Sequence, residues 1–270
     1  MQNGDFCSIS VHLDSLTKKT IMKTLVFGAS GATGKHLVEH LLKAGKQVKI
    51  IVRFNSRIPD SWLDNENISI IRSDISIVSV EQMSEYLKDC EAAASCLGHN
   101  LTLKGIYGKP RRLVRDTVKL ICDAILHIRP TKPIKIVLMN TAGNRNRDLD
   151  EPISLGQKIV LALLRLMLPP HVDNEQAADH LRLKVGQSNQ YVEWAVVRPD
   201  TLINEIQVSN YTLHNSPTRS AIFKPGQTSR INVGHFMAKL ILDDTTWQMW
   251  KGQMPVIYNE LQNTGKNGIR

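Results

Sequence analysis

Aromatic residues are scarce in this 270-residue chain, at 5%. No helix-turn-helix, finger or RNA-binding signature accompanies them, so no dedicated nucleic-acid platform of stacking rings or reading helix is expected. Long apolar runs are also missing. The longest, residues 159–168, is interrupted by Arg165 and stopped by Pro169 and Pro170, far short of the roughly 18 residues that cross a bilayer. Only four cysteines occur, Cys7, Cys90, Cys96 and Cys122, with no C-x-x-C pair and no metal-like spacing. A disulfide framework and a metal site are therefore not expected. The chain opens without the basic-then-apolar pattern of a signal peptide, so a reducing cytoplasm is the expected location.

What is present describes a globular protein. Apolar residues make up 42% and charged residues 22%, which rules out a disordered or low-complexity chain. Lysine and arginine outnumber aspartate and glutamate by 34 to 25, a net charge of +9. Such an excess attracts phosphates without saying whose. Residues 1–21 lack periodicity and precede a second methionine, Met22, so they read as a disordered extension ahead of one domain spanning residues 22–270.

From Met22 the chain alternates strand-like and helix-like stretches. Residues 23–28, 48–53, 68–71, 91–96, 134–139 and 193–198 read as strands, many of them buried, while residues 35–44, 80–87, 111–127 and 155–187 read as helices, the last broken by its two prolines. Strands joined through helices pair in parallel, which implies a Rossmann-type doubly wound α/β sheet with helices on both faces. Past Pro199 the pattern loosens into loop and short strand, then a helix at residues 232–242 and a last strand at residues 254–258. Ligands of such sheets sit beyond the carboxyl ends of the strands, so substrate-side elements are expected mainly in residues 144–192 and 201–258.

The sharpest motif is Gly28-Ala29-Ser30-Gly31-Ala32-Thr33-Gly34, which leaves a predicted strand and opens a predicted helix. Gly28 permits the tight turn, Gly31 lets the backbone approach a pyrophosphate, and Gly34 lets the helix pack on the sheet. The unpaired N–H groups of the helix start then face the phosphates.

This G-x-x-G-x-x-G loop resembles that of the extended and atypical short-chain dehydrogenase/reductase superfamily, which implies NAD(P) binding. Residues 52–59 (VRFNSRIP), 96–98 (CLG), 194–199 (WAVVRP) and 234–237 (GHFM) are similar to its NAD(P)H-binding, NmrA-like branch, which includes biliverdin-IXβ and flavin reductases. At the end of the second strand, where NAD enzymes carry an acid for the ribose 2′-hydroxyl, stands Arg53. A cation there suits a 2′-phosphate, so NADP(H) is expected over NAD(H), with Ser56 and Arg57 in the same clamp. The resemblance further places Asp74 and Ile75 near the adenine and Leu97-Gly98 along the cofactor.

One departure matters. None of the five tyrosines has a lysine four residues on, so proton exchange with a carbonyl through a Tyr-x-x-x-Lys pair is not expected, nor is sugar-nucleotide epimerisation that depends on it. Hydride delivery to a flavin or other flat acceptor such as a quinone needs mainly proximity and orientation. Thr141, where the resemblance implies a serine, would keep a hydroxyl beside nicotinamide or substrate, and His171, read as a loop residue after the prolines, would supply a proton. Asp173 or Asn174 reads as a helix cap. The missing pair and the surplus charge also fit an NADP(H)-binding redox sensor without catalysis. Lys104, Lys109, Arg111, Arg112 and Arg115 crowd the region after Gly98, one or two of them facing cofactor or an anionic substrate. The apolar run from Ile159 is open to three readings: lid, dimer contact or core. A monomer or homodimer acting on a small molecule is expected.

Overall fold

Period-two alternation in the first strand sets up two core layers. In β1 (Lys23–Phe27), Leu25 and Phe27 join one apolar cluster and Val26 the other. The computed structural model describes residues 22–99, 102–151 and 153–260, and the expected extension at residues 1–21 lies outside the described residues. After β1 come α1 (Ala32–Lys43), β2 (Gln47–Val52), β3 (Ile68–Arg72), α2 (Val80–Leu87), β4 (Cys90–Ser95), α3 (Leu103–Tyr107), α4 (Leu113–Ile128) and β5 (Ile134–Met139). The second half adds α5 (Leu155–Met167), α6 (Pro169–Asp179), β6 (Val192–Pro199), β7 (Thr201–Ile203), β8 (Tyr211–His214), β9 (Gln227–Ser229), α7 (Arg230–Leu242), α8 (Asp244–Trp250) and β10 (Val256–Asn259).

The main sheet runs in the order β3-β2-β1-β4-β5-β6-β10-β8, parallel throughout except for β8, which runs against β10. This is the doubly wound arrangement read from the sequence. The strand order reverses between β1 and β4, and that reversal opens the crevice where such sheets take ligands. On one face α2, α4 and α6 cover Leu25, Phe27, Ile136 and Trp194. On the other, α1 and α7 cover Val26, Ile50 and Val137. Gly234 explains the GHFM stretch, because a Cβ there would stand 2.8 Å from His36 Cβ and Leu37 N, so only glycine lets α7 lie this close to α1.

The end of β6 is locked by a buried ion pair. Arg198, with no exposed side-chain surface, meets Glu151 at 2.8 Å and also donates to the carbonyls of Met254, Asn144 and Asn215. Every donor of this guanidinium that faces the interior thus has an acceptor, the condition under which a buried charge is tolerated. The proline of WAVVRP follows directly, ending the strand at the carboxyl edge.

Three local readings need correction. Pro169 and Pro170 interrupt the long helical stretch as expected, but they also start the next helix, since a proline at the first helical positions forfeits only an N–H that has no partner there. His171 is therefore a helical residue, not a loop residue. Asp173 does not cap its own helix; it lies inside α6, buried, and serves another helix. Residues 244–250, which the sequence reading passed over between its helix at 232–242 and its last strand, form α8, capped by the Asp243 carboxylate on the N–H groups of Thr245 and Thr246.

Candidate functional site

At the strand-order reversal the glycine loop forms a cradle that side chains would fill. A Cβ on Gly28, whose φ is +72°, would come 2.7 Å from Cys96 O on the neighbouring strand. One on Gly34 would lie 2.1 Å from Gly28 O. Gly31, at the N-cap of α1, offers no side-chain cap, and the first turn holds no acid. The helix N–H groups are thus left for an anion, which fits the diphosphate of a dinucleotide.

The cradle opens into a cleft of about 470 Å³. Gly28, Ser30 and Gly31 line it, together with Arg53, Ser56, Asp74, Ile75, Leu97 and Gly98. Ala32, Thr33, Gly34 and Arg57 do not. Thr33 and Gly34 are buried on the sheet side of α1, and Arg57 points to solvent. The loop that carries Ser56 is pinned by Arg72, which donates to the carbonyls of Phe54 at 3.0 Å and Ser56 at 3.4 Å. Hydrogen bonds from the Ser76 N–H and hydroxyl hold the Asp74 carboxyl below its ordinary range, with a lesser contribution from Arg53. Asp74 therefore stays an anion at the end of the cleft that Arg53 shares. Cys96 at its floor is inert, since burial pushes its thiol up to about 12.

The sequence reading missed His99, which lines the same cleft. Its Nε2 lies 2.7 Å from Asp173 Oδ2 and its Nδ1 lies 3.2 Å from the Gly105 carbonyl. Asp173 Oδ2 also accepts the N–H of Val114 at 2.9 Å, and Oδ1 that of Arg115 at 2.9 Å. The first turn of α4 has no cap of its own, because Arg112 at the N-cap bonds nothing there. A carboxylate from α6 does the capping instead and ties three segments around the cleft together. Spacing alone hides this link, because 74 residues separate His99 from Asp173. The local signal was a histidine placed immediately after the Leu97-Gly98 turn.

Thr141 and His171 come together, but outside the lining of that cleft. A Cβ on Gly143 would lie 3.7 Å from Thr141 Oγ1 and 3.9 Å from His171 Cε1. Thr141 follows β5, and its Oγ1 accepts the Gly143 N–H at 3.2 Å. Burial opposes ionisation of Glu175, yet the hydrogen bonds of Arg165 and the charges of Arg165 and His171 outweigh it and hold the carboxyl at about 2. Arg165 grips both of its oxygens, two of the contacts at 2.8 Å. His171 Nε2 stands 3.5 Å away, an ion-pair separation beyond a good hydrogen bond. It is buried without a hydrogen-bond partner among the described residues. A group entering beside Gly143 would thus meet the Thr141 hydroxyl and the Cε1 edge of the His171 ring.

A family model described as NAD(P)H-binding matches residues 28–244, from the first glycine of the cradle to the start of α8. The chain belongs to that NAD(P)H-binding family. Solved structures of similar fold include an oxidoreductase from Lactococcus lactis, 16% identical with a TM-score of 0.63 over 88% of this chain and 91% of that one. Another is a short-chain dehydrogenase/reductase from Veillonella parvula in complex with NADP, 15% identical with a TM-score of 0.62 over 88% and 94%. A third is an anaerobillin reductase from Escherichia coli O157:H7, 14% identical with a TM-score of 0.61 over 88% and 97%. In sequence, 74 residues are 35% identical to an uncharacterized chloroplastic protein of Arabidopsis thaliana, a match spanning 27% of this chain and about a quarter (26%) of that protein. The family result bears out the NAD(P)H-binding reading drawn from the glycine loop, and the structural likenesses bear out the fold.

Proposed function

We propose that this protein is an NADPH-dependent reductase of a flat conjugated acceptor such as a flavin. The observation that carries the proposal is the single cleft in which the glycine cradle and Arg53 lie together. In this reading the α1 N–H groups and Ser30 hold the diphosphate, while Arg53 and Ser56 hold the 2′-phosphate of the adenosine. Leu97 and Gly98 flank the rest of the dinucleotide. Reduced nicotinamide, when bound, supplies two electrons and a proton equivalent to the acceptor. The chain's own part is then orientation and exclusion of water, with the Thr141 hydroxyl as a hydrogen-bonding partner and the neighbouring His171 as the proton donor to the reduced acceptor. The lack of any Tyr-x-x-x-Lys pair supports an acceptor that needs little protonic help.

That same lack favours a second reading, an NADP(H)-responsive regulator that binds without turnover. Mixing the protein with NADPH and FMN, or with a soluble quinone, separates the two. Acceptor-dependent loss of NADPH absorbance that weakens in Thr141→Ala supports the reductase. Tight NADPH binding with no turnover of any flavin or quinone removes it and leaves the regulator.

A further inference from the structure

The helix α5 faces the wrong way for a core helix. Only Leu161 is buried along its 13 residues, while Leu155 is 75% exposed, Ile159 55%, Leu163 51% and Leu166 83%. Spaced at 155, 159, 163 and 166, these side chains form one outward stripe, and at 100° per residue Leu161 lies on the opposite side. Exposed Phe223 lies against Gly156 and extends the stripe at its start. The Tyr107 hydroxyl donates to the Met167 carbonyl at its end. The stripe therefore runs into α3 and the basic segment that follows. A contiguous apolar patch of this kind marks a docking surface.

Charge selects the occupant. Residues 103–115 and 153–172, the two segments joined by that Tyr107 bond, hold seven lysines and arginines and no acid. Removing those seven from the 34 basic residues leaves 27 against 25 acidic, so nearly all of the chain's net charge sits in these two segments. Arg165 and Arg115 have carboxylate neighbours. Lys158, Lys109, Arg111 and Arg112 have none among the described residues and are exposed. A second copy docking here would set two such cationic rims against each other, and a nucleic acid would make no use of the leucine stripe. An anionic bilayer satisfies both features: the apolar face enters the boundary between headgroups and acyl chains, and the cations meet the lipid phosphates. The helix is too short to span, so the contact is interfacial.

We infer that α5, together with the basic segment after α3, docks this protein on the surface of an anionic membrane. Co-sedimentation of the full chain with vesicles of phosphatidylcholine and phosphatidylglycerol in equal parts, beside vesicles of phosphatidylcholine alone, tests it. Binding to the anionic vesicles, weakened by added salt, is the expected result. The double variant Ile159→Ser/Leu166→Ser should lose at least about tenfold in vesicle affinity with an unchanged melting temperature, because both side chains are already in water. Lys158→Glu/Arg112→Glu should lose a similar factor while leaving the stripe intact. No sedimentation with anionic vesicles overturns the inference. So does light scattering that shows a dimer which the serine variant converts to monomer, since the stripe would then be covered by a second copy.

Discussion

Replacing Asp173 with asparagine keeps the size of the side chain and removes its charge, which isolates what the carboxylate contributes. In the native protein its two oxygens accept from His99 Nε2, Val114 N–H and Arg115 N–H, and the side chain is fully buried. An asparagine can direct its one carbonyl oxygen at His99 and Val114, but its amide NH₂ must then face the Arg115 N–H, donor against donor. One bond is lost outright and two lose their charge assistance. Hydrogen bonds to charged groups contribute about 1.5–3 kcal/mol each, so a destabilisation of about 2–4 kcal/mol is expected, a large part of the 5–15 kcal/mol typical of a folded domain. Urea unfolding followed by circular dichroism measures it. Because the same carboxylate fixes His99 against the cleft, NADPH affinity should fall as well, and His99→Gln should lower affinity with a smaller cost in stability. A loss below about 1 kcal/mol in Asp173→Asn, or full nucleotide affinity despite a larger loss, would show that the three segments do not depend on this junction.

Arg198→Met strands the buried Glu151 carboxylate and should cost about 3–5 kcal/mol, whereas Arg198→Met combined with Glu151→Leu should recover most of that loss in a thermal or urea comparison. Gly34→Ala would drive a methyl into Gly28 O and is expected to abolish nucleotide binding in calorimetry, while Gly45→Ala, where a Cβ meets nothing although φ is +73°, should leave binding intact at a modest cost in stability. Burial, with His235 nearby, lowers His40 from 6.5 to about 4. The unfolded chain therefore takes up this proton first, and stability present above pH 6.5 is lost as pH falls toward 4. The ring is partly exposed, so screening limits the loss to about 1–2 kcal/mol. Unfolding midpoints measured across that range should fall less steeply in His40→Gln. Glu175, held at about 2, loses its contribution only below its ordinary 4.5 and so leaves the upper part of the window clear.

The sheet and the glycine cradle were legible because both depend on near neighbours in sequence. Apolar runs of four to six residues alternating with amphipathic stretches define the strands and crossovers, and Gly28, Gly31 and Gly34 act on one turn and the helix it opens. The features that escaped notice depend on residues far apart. Asp173 looked like the cap of its own helix, and only the packing of α6 against α4 shows that it caps a different one and holds His99. The exposure of α5 was equally hidden, because a helix apolar nearly all round gives no periodicity from which to tell an outward stripe from a core face. Asp243, an N-cap acid directly after the helix read at residues 232–242, was the local signal for α8, and it went unused.

The most direct test of the central claim is calorimetric titration of NADPH and NADH into the native protein and into Arg53→Asp. The native chain is expected to bind NADPH at least about tenfold more tightly than NADH, about 1.4 kcal/mol, and the aspartate variant to reverse the order. No heat with either nucleotide, or a preference that the substitution leaves unchanged, would contradict it.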